Sequence, residues 1–406
     1  MEDMLEGKQK ISEGQAGFRP DRSCVDHVYT LSKIIQGRKD AGRTTYCFFL
    51  DVQKAYDTVW RNGLWKKMWD IGIRGKMWRM LKKMTECTRS AVMLDGEISK
   101  YVDILQGVAQ GCTMSPTLFK IYINDLIRAV EAVRQGVQVG GKSVSGLMFA
   151  DDFVGVSETP EGLQEEIDAV VGYTRKWRLS ANVGKYAVVV YTYLGVEISK
   201  ECSWDAHIAK LIGKGKAQIG KMDEILTDPH LDTRIKRCVL LNVIVPKLEY
   251  AGEVWEGNEK AVKQLETVQM AAAKKILGCS STTSNTVLRA ELGMYSLKTK
   301  RDMQKLNWQY KVSRMSDDRL PAMVDKAAWG KATPGKKGIR WDKVVERVWK
   351  EIGDEEGKGC DMDKFGKLDN SEKTIAVIGD RWWAQEAVGG GDKMCKKFLC
   401  SLWQKR

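Results

Sequence analysis

One stretch constrains this chain more than any other: LMFADDFVGVS, residues 147–157. Two short apolar runs flank a pair of adjacent carboxylates, Asp151 and Asp152, so the pattern reads as a hairpin with the pair at its tip. An unpaired buried carboxylate is costly, and two side by side also repel each other. Two placements remain open. Either the tip is an exposed turn, or a divalent cation neutralises it.

A second apolar strand, YCFFLDV at 46–52, runs into another carboxylate, Asp51. If it neighbours the hairpin in one sheet, three carboxylates converge on a small volume. Such a cluster suits Mg²⁺, which takes carboxylate and water oxygens and is often shared with substrate phosphates. Two ions held there can activate a hydroxyl and stabilise a leaving pyrophosphate, which is the chemistry of nucleotidyl transfer. The competing reading makes each aspartate an ordinary turn or strand-end residue. Tyr56 follows where the strand must turn into a helix. GVAQGCTMSP at 107–116 places glycines for close approach of a ligand, with Gln110 able to hydrogen-bond.

The rest of the chain reads as α+β. Helical spacing appears around His27–Gln36, from Trp60 to Met84 with a break at IGIRG, and over Cys112–Val130. There Ser115-Pro116 supplies an N-cap and a proline at the first helical position. A helix at Gly162–Trp177 precedes a β-rich run, YAVVVYTYLGVEI, after which the chain is mainly helical. The face Leu265, Val268, Ala272, Ile276 is stopped by Gly278. KATPGKKGIR at 331–340 has the composition of a linker. Lys and Arg total 66 against 53 Asp and Glu, a net +13, which suits a polyanionic partner such as nucleic acid or simply solubility. Ten cysteines without a CxxC pair and three histidines exclude common zinc-finger spacings and argue against a secreted disulfide framework. With no apolar run of spanning length and no signal-like opening, the expectation is an intracellular protein with no membrane partner, in nucleus and/or cytoplasm.

Five segments together resemble the reverse transcriptases of non-LTR (LINE-type) retrotransposons. QAGFRPDRSC (15–24), FFLDVQKAYDTV (48–59), QGVAQGCTMSPTLFKIYINDL (106–126), FADD (149–152) and YLG (193–195) stand in the family's order, and LEYAGEVWEGN (248–258) extends the match. The resemblance implies a right-hand polymerase: partial fingers over 1–45, a palm with antiparallel sheet and helices (and remaining fingers) over 46–200, a helical thumb or connection over 201–330, and a basic linker with a helical tail over 331–406. It implies RNA template, DNA primer and dNTP as partners and two Mg²⁺ ions as cofactors, with Mn²⁺ an alternative. Asp51 and Asp151 would hold the metals, with Asp152 the third acidic partner and the Val52 carbonyl beside them. Tyr56 would be the steric gate against a ribose 2′-hydroxyl. Gln110 and Gly111 would shape the nucleotide pocket, and Phe149 would lie near the primer end. Lys185 would face the triphosphate as a catalytic lysine, and Tyr193, Leu194 and Gly195 would form the primer grip. Arg175, Lys176, Trp177 and Arg178 would hold nucleic-acid backbone, as would Lys210, Lys214 and Lys221. Arg19 either organises the fingers–palm junction or is a buried structural pair.

The sequence also departs from the family. Ala109 replaces the arginine usual in GVRQG, Thr113 replaces a common proline, and the run before YLG is compressed. Only fourteen residues precede Gln15, where the family carries a basic fingers block, so the expectation is an N-terminally truncated member. Fewer charged contacts to phosphate would raise the nucleotide KM. The alternative to an active RNA-directed DNA polymerase is thus an inactive remnant that still binds nucleic acid. A third, more distant option is another palm-fold nucleotidyl transferase or cyclase.

Overall fold

A computed structural model describes residues 1–7, 10–86, 88–133, 136–180, 190–327 and 341–352. The fold is α+β and divides into two compact units. The first contains the described residues up to 180 together with 316–327; the second contains 190–315 and 341–352.

In the first unit, β1 (Tyr46–Leu50) is followed by four short strands, β2 (Thr88–Ser90), β3 (Met93–Leu94), β4 (Glu97–Ile98) and β5 (Val102–Ile104). Then come β6 (Val137–Val139), β7 (Lys142–Val144), β8 (Gly146–Phe149) and β9 (Asp152–Ser157). The central sheet is antiparallel in the order β1-β9-β8. Its far edge is not bare, because Gln15 bridges Met148 in parallel register. All three strands are apolar because helices cover them: Cys24–Asp40 and Asp125–Glu131 pack on β8, and Pro160–Lys176 packs on β1 and β9. Gly155 is required here, since a Cβ at that position would stand 2.0 Å from the Phe48 ring.

Helix limits follow local chemistry. The Thr159 side chain accepts from Gly162 N at 3.1 Å, ahead of Pro160, and starts the Pro160–Lys176 helix. The break at IGIRG separates Arg61–Asp70 from Gly75–Glu86. Two details of the 112–130 reading are corrected. The helix begins at Ser115 with Met114 as its N-cap, so Ser115 is not the cap. It also divides at Asn124 into Ser115–Ile123 and Asp125–Glu131. The Asn124 side chain is occupied elsewhere, accepting from Ser12 N at 2.9 Å and donating to Lys10 O at 3.1 Å. The stripe Leu118, Tyr122, Leu126 is buried, each residue worth about 2–3 kcal/mol in apolar burial.

Residues 316–327, read from sequence as part of a thumb or connection, pack with the first unit. Arg319 pairs with the buried Asp26 at 2.5 Å, and Tyr29 donates to Asp325 at 2.6 Å. Leu320, Ala322, Met323 and Val324 are buried, with the Leu320–Lys326 helix against Cys24–Asp40.

The second unit carries the hairpin β10 (Val190–Tyr193) and β11 (Val196–Ser199) and a set of helices around Glu259–Leu277. Asn258 caps that helix through Ala261 N at 2.8 Å, and Gly278 ends it at φ 61°, the left-handed conformation expected of a C-terminal glycine. Leu265, Val268, Ala272 and Ile276 form its buried face. The 331–340 segment and almost all of the tail lie outside the described residues, apart from Trp341–Ile352, which is helical. Among the described residues no helix is long and apolar enough to cross a membrane.

Two histidines are buried, one in each unit. Burial pushes both His27 and His207 down to about 4, despite hydrogen bonds to the carbonyls of Met148 and Tyr250. Each is neutral in the fold, whereas the unfolded chain binds a proton below about 6.5. Stability is therefore intact above pH 6.5 and lost as pH falls from 6.5 to 4, by up to about 3 kcal/mol per histidine. Urea titrations across this window are expected to show that slope, and His27→Gln is expected to remove the His27 share of it while the His207 share remains.

Candidate active site

The register of β1 on β9 ends with Leu50 opposite Phe153, so the next position puts Asp51 opposite Asp152. On the other side, β8 and β9 close with Phe149 opposite Asp152, leaving Ala150 and Asp151 as a two-residue turn. The three carboxylate residues thus share one end of one sheet, each partly exposed. Ala150 takes φ 59°, a left-handed conformation that costs a residue with a side chain about 1 kcal/mol.

That turn is held by buried polar groups. Gln15, fully buried, accepts from Ala150 N at 3.1 Å through Oε1 and donates to Ala150 O at 3.3 Å through Nε2. The same Oε1 accepts from Gly17 N at 2.7 Å. Gly17 lies so close that a Cβ there would meet Ala150 N at 2.1 Å. Met148 exchanges backbone bonds with Gly14 and Ala16, and its carbonyl also faces His27 Nε2 at 3.0 Å. QAGF is therefore the cradle of the FADD turn. Arg19 is a buried structural pair, donating to Ser12 O, Gln15 O and the Glu6 carboxylate. Lys120, also buried, donates to Phe18 O at 2.9 Å.

Beside the carboxylates stands Tyr56, half-buried and stacked on Phe119 with ring centroids 5.3 Å apart and planes 16° from parallel. Burial and the nearby Asp151 carboxylate both raise its phenol above the usual range. The charge of Asp152, by contrast, reaches Cys24. The 106–111 loop is bonded to the Tyr56 turn: Val108 N donates to Tyr56 O and Gly107 N to Val59 O, both at 2.9 Å. Gly107, at φ 85°, admits the Tyr56 carbonyl where a Cβ would stand 2.9 Å from it. Gln110 and Gly111 are exposed beyond this anchor, with open space around Gly111.

Other expected site residues lie as follows. Val52 is buried behind Asp51, and Phe149 is partly buried, edge-on to His27 at 6.4 Å. Lys185 lies outside the described residues. Tyr193, Leu194 and Gly195 form the β10–β11 turn in the second unit, where Tyr250 donates to Leu194 O at 2.8 Å. Trp177 is half-buried and packs against the core beside Trp60, Tyr122 and Tyr173, with the buried Lys67 Nζ 4.0 Å from its ring centroid. Arg175, Lys176 and Arg178 around it are exposed. Sequence reasoning assigned no role to Gln15, His27, Lys120 or Arg61. The available signal was a polar side chain inside a short, otherwise apolar or glycine-rich motif.

Among the described residues no group of three or more His, Cys, Asp or Glu side chains is assembled to hold a metal ion. The expected convergence holds for the backbone but not for a preformed side-chain cage. The donors are still of the right kind. Mg²⁺ is commonly held by one or two carboxylates, its shell completed by water and substrate phosphates.

An antiparallel sheet with carboxylates at one end, helices packed on it and a glycine-rich loop beside it is the arrangement that a nucleotidyl-transferase palm requires. Residues 1–198 match the family model for reverse transcriptase (RNA-dependent DNA polymerase). The chain is similar to a probable RNA-directed DNA polymerase from transposon X-element of Drosophila melanogaster, 23% identical over 320 residues, covering 71% of this chain and 34% of that protein. It is likewise similar to the RNA-directed DNA polymerase from mobile element jockey of Drosophila funebris, 25% identical over 297 residues, covering 66% and 32%. Apo telomerase from Candida tropicalis aligns with 93% of this chain and 59% of that one at 11% identity and a TM-score of 0.42. Residues 1–198 belong to the reverse transcriptase family, of the non-LTR retrotransposon type, whose members normally use divalent metal ions. The chain spans about a third of the length of these curated relatives.

Replacing Gln15 with Leu leaves Ala150 N–H, Ala150 C=O and Gly17 N–H without their partner. The expected loss is about 3 kcal/mol in chemical denaturation. Gln164→Leu, on an exposed helix face, is expected to change stability by less than about 0.5 kcal/mol.

Proposed function

We propose that this chain acts as an RNA-directed DNA polymerase, joining a dNTP to the 3′-hydroxyl of a DNA primer on an RNA template with release of pyrophosphate. The observation that carries the reading is the β1–β9–β8 register, which brings Asp51, Asp151 and Asp152 to one sheet end beside Tyr56. Asp51 and Asp151 would hold two Mg²⁺ ions, or Mn²⁺ in their place, with Asp152 the third acidic residue and the Val52 carbonyl adjacent. Bound there, such ions supply activation of the primer hydroxyl and neutralise charge on the leaving pyrophosphate.

The chain's own residues supply positioning. Tyr56, pinned by Val108 at its carbonyl and by Phe119 at its ring, presents an edge that crowds a ribose 2′-hydroxyl. Gln110 and Gly111 offer a side-chain amide and an open backbone to the incoming base pair. Phe149 precedes the turn where the primer end would rest, and Tyr193, Leu194 and Gly195 would support the primer. Lys185 would face the triphosphate. Arg175, Lys176 and Arg178 add sequence-independent attraction for phosphates, in keeping with a net charge of +13.

Primer extension on an RNA template with Mg²⁺ and dNTPs tests the reading. Asp151→Asn is expected to slow extension on the order of 10³-fold. No extension by the unaltered chain, or equal extension by both, would overturn the polymerase reading. In the same assay Tyr56→Ala is expected to raise ribonucleotide incorporation relative to dNTP by roughly tenfold to a hundredfold.

A further inference from the structure

Loop 106–111 has little packing of its own. Val108 is buried, but Gln106, Ala109, Gln110 and Gly111 are exposed. The strands that lead into it pair two by two, β2 with β5 and β3 with β4, with Leu94 71% exposed and Leu105, just after β5, 88% exposed. Such a two-stranded ribbon is marginal in water and cannot fix the loop by itself. What meets both is Arg61, the first residue of the Arg61–Asp70 helix, only 6% exposed. Its Nε donates to Gly107 O at 2.9 Å and one terminal nitrogen to Ile104 O at 2.7 Å. The other terminal nitrogen reaches Thr88 Oγ1 at 2.6 Å and Gln106 O at 3.2 Å.

We propose that Arg61 is a positioning residue for the nucleotide pocket. Its planar fork joins both strands at the ribbon base to the backbone of Gln106 and Gly107. It thereby sets where loop 106–111 stands relative to Tyr56, whose carbonyl the loop already binds through Val108. The fork, not the charge alone, does this. Lysine, a single ammonium on a flexible stem, cannot span Thr88, Ile104 and Gly107 together. The inference rests on the polymerase reading, since a pocket that receives no nucleotide has nothing to position.

Amide hydrogen exchange and steady-state primer extension on the full chain test it with Arg61→Lys and Arg61→Ala. Peptides covering 104–111 are expected to exchange about tenfold faster in Arg61→Ala and by an intermediate factor in Arg61→Lys, with 146–157 unchanged. The KM for dNTP is expected to rise about tenfold in Arg61→Ala, while kcat stays within about twofold. Arg61→Lys matching the unaltered chain in both readouts overturns the role of the fork. Faster exchange across 146–157 as well shows a merely structural residue, as does an unchanged KM. If Arg61→Ala does not fold, Arg61→Lys carries both measurements. An unaltered chain that does not extend primers overturns the polymerase reading and this one with it. Normal extension with unchanged variants overturns only this one.

Discussion

The antiparallel register of β1 on β9 is the constraint on which the rest of the first unit depends. It sets Leu50 against Phe153 and so brings Asp51 level with Asp152, about a hundred residues away in the chain. A slip of one residue would turn the apolar set of β1 to the wrong faces and move Asp51 out of line. The helices packed on β1, β8 and β9 oppose such a slip, because the buried residues of each strand are already committed to that packing. The cost of ordering the acidic end is thus met by burial well away from the carboxylates.

Around that end, buried polar groups take over from apolar packing. Gln15 satisfies both backbone groups of Ala150, Lys120 holds Phe18 O, and Arg61 gathers the carbonyls of Ile104, Gln106 and Gly107. Each turn or loop beside the carboxylates is therefore fixed by a side chain reaching in from a different element. Apolar contacts would fill the space in front of the backbone they held. Directional hydrogen bonds hold backbone without occupying the space in front of it.

Much of this was legible along the chain. β1, the hairpin, the helix ended by Gly278 and the motif order follow from local periodicity and turn chemistry, which nearby residues determine. The identity of Tyr56 as a residue beside the acids was legible from its place in DVQKAYD. Trp177 was not, since a tryptophan between basic residues reads equally as a stacking platform or as core. Its packing against Lys67 and Tyr122, which come from other helices, is visible only in the fold. The packing of residues 316–327 was not legible for a similar reason. Their pairing through Arg319 and Asp325 with Asp26 and Tyr29 spans nearly three hundred residues, beyond the reach of any periodicity.

By itself, then, the sequence determined the short strands, turns and helix ends that bear the candidate site residues, because strand and turn preferences act over a few residues. The tertiary structure decided that the carboxylates share a sheet end without forming a closed cage. It also decided that QAGF cradles the FADD turn and that Arg61 fastens the glycine-rich loop. These are meetings of distant side chains, fixed by strand register and by the need of every buried polar group for a partner.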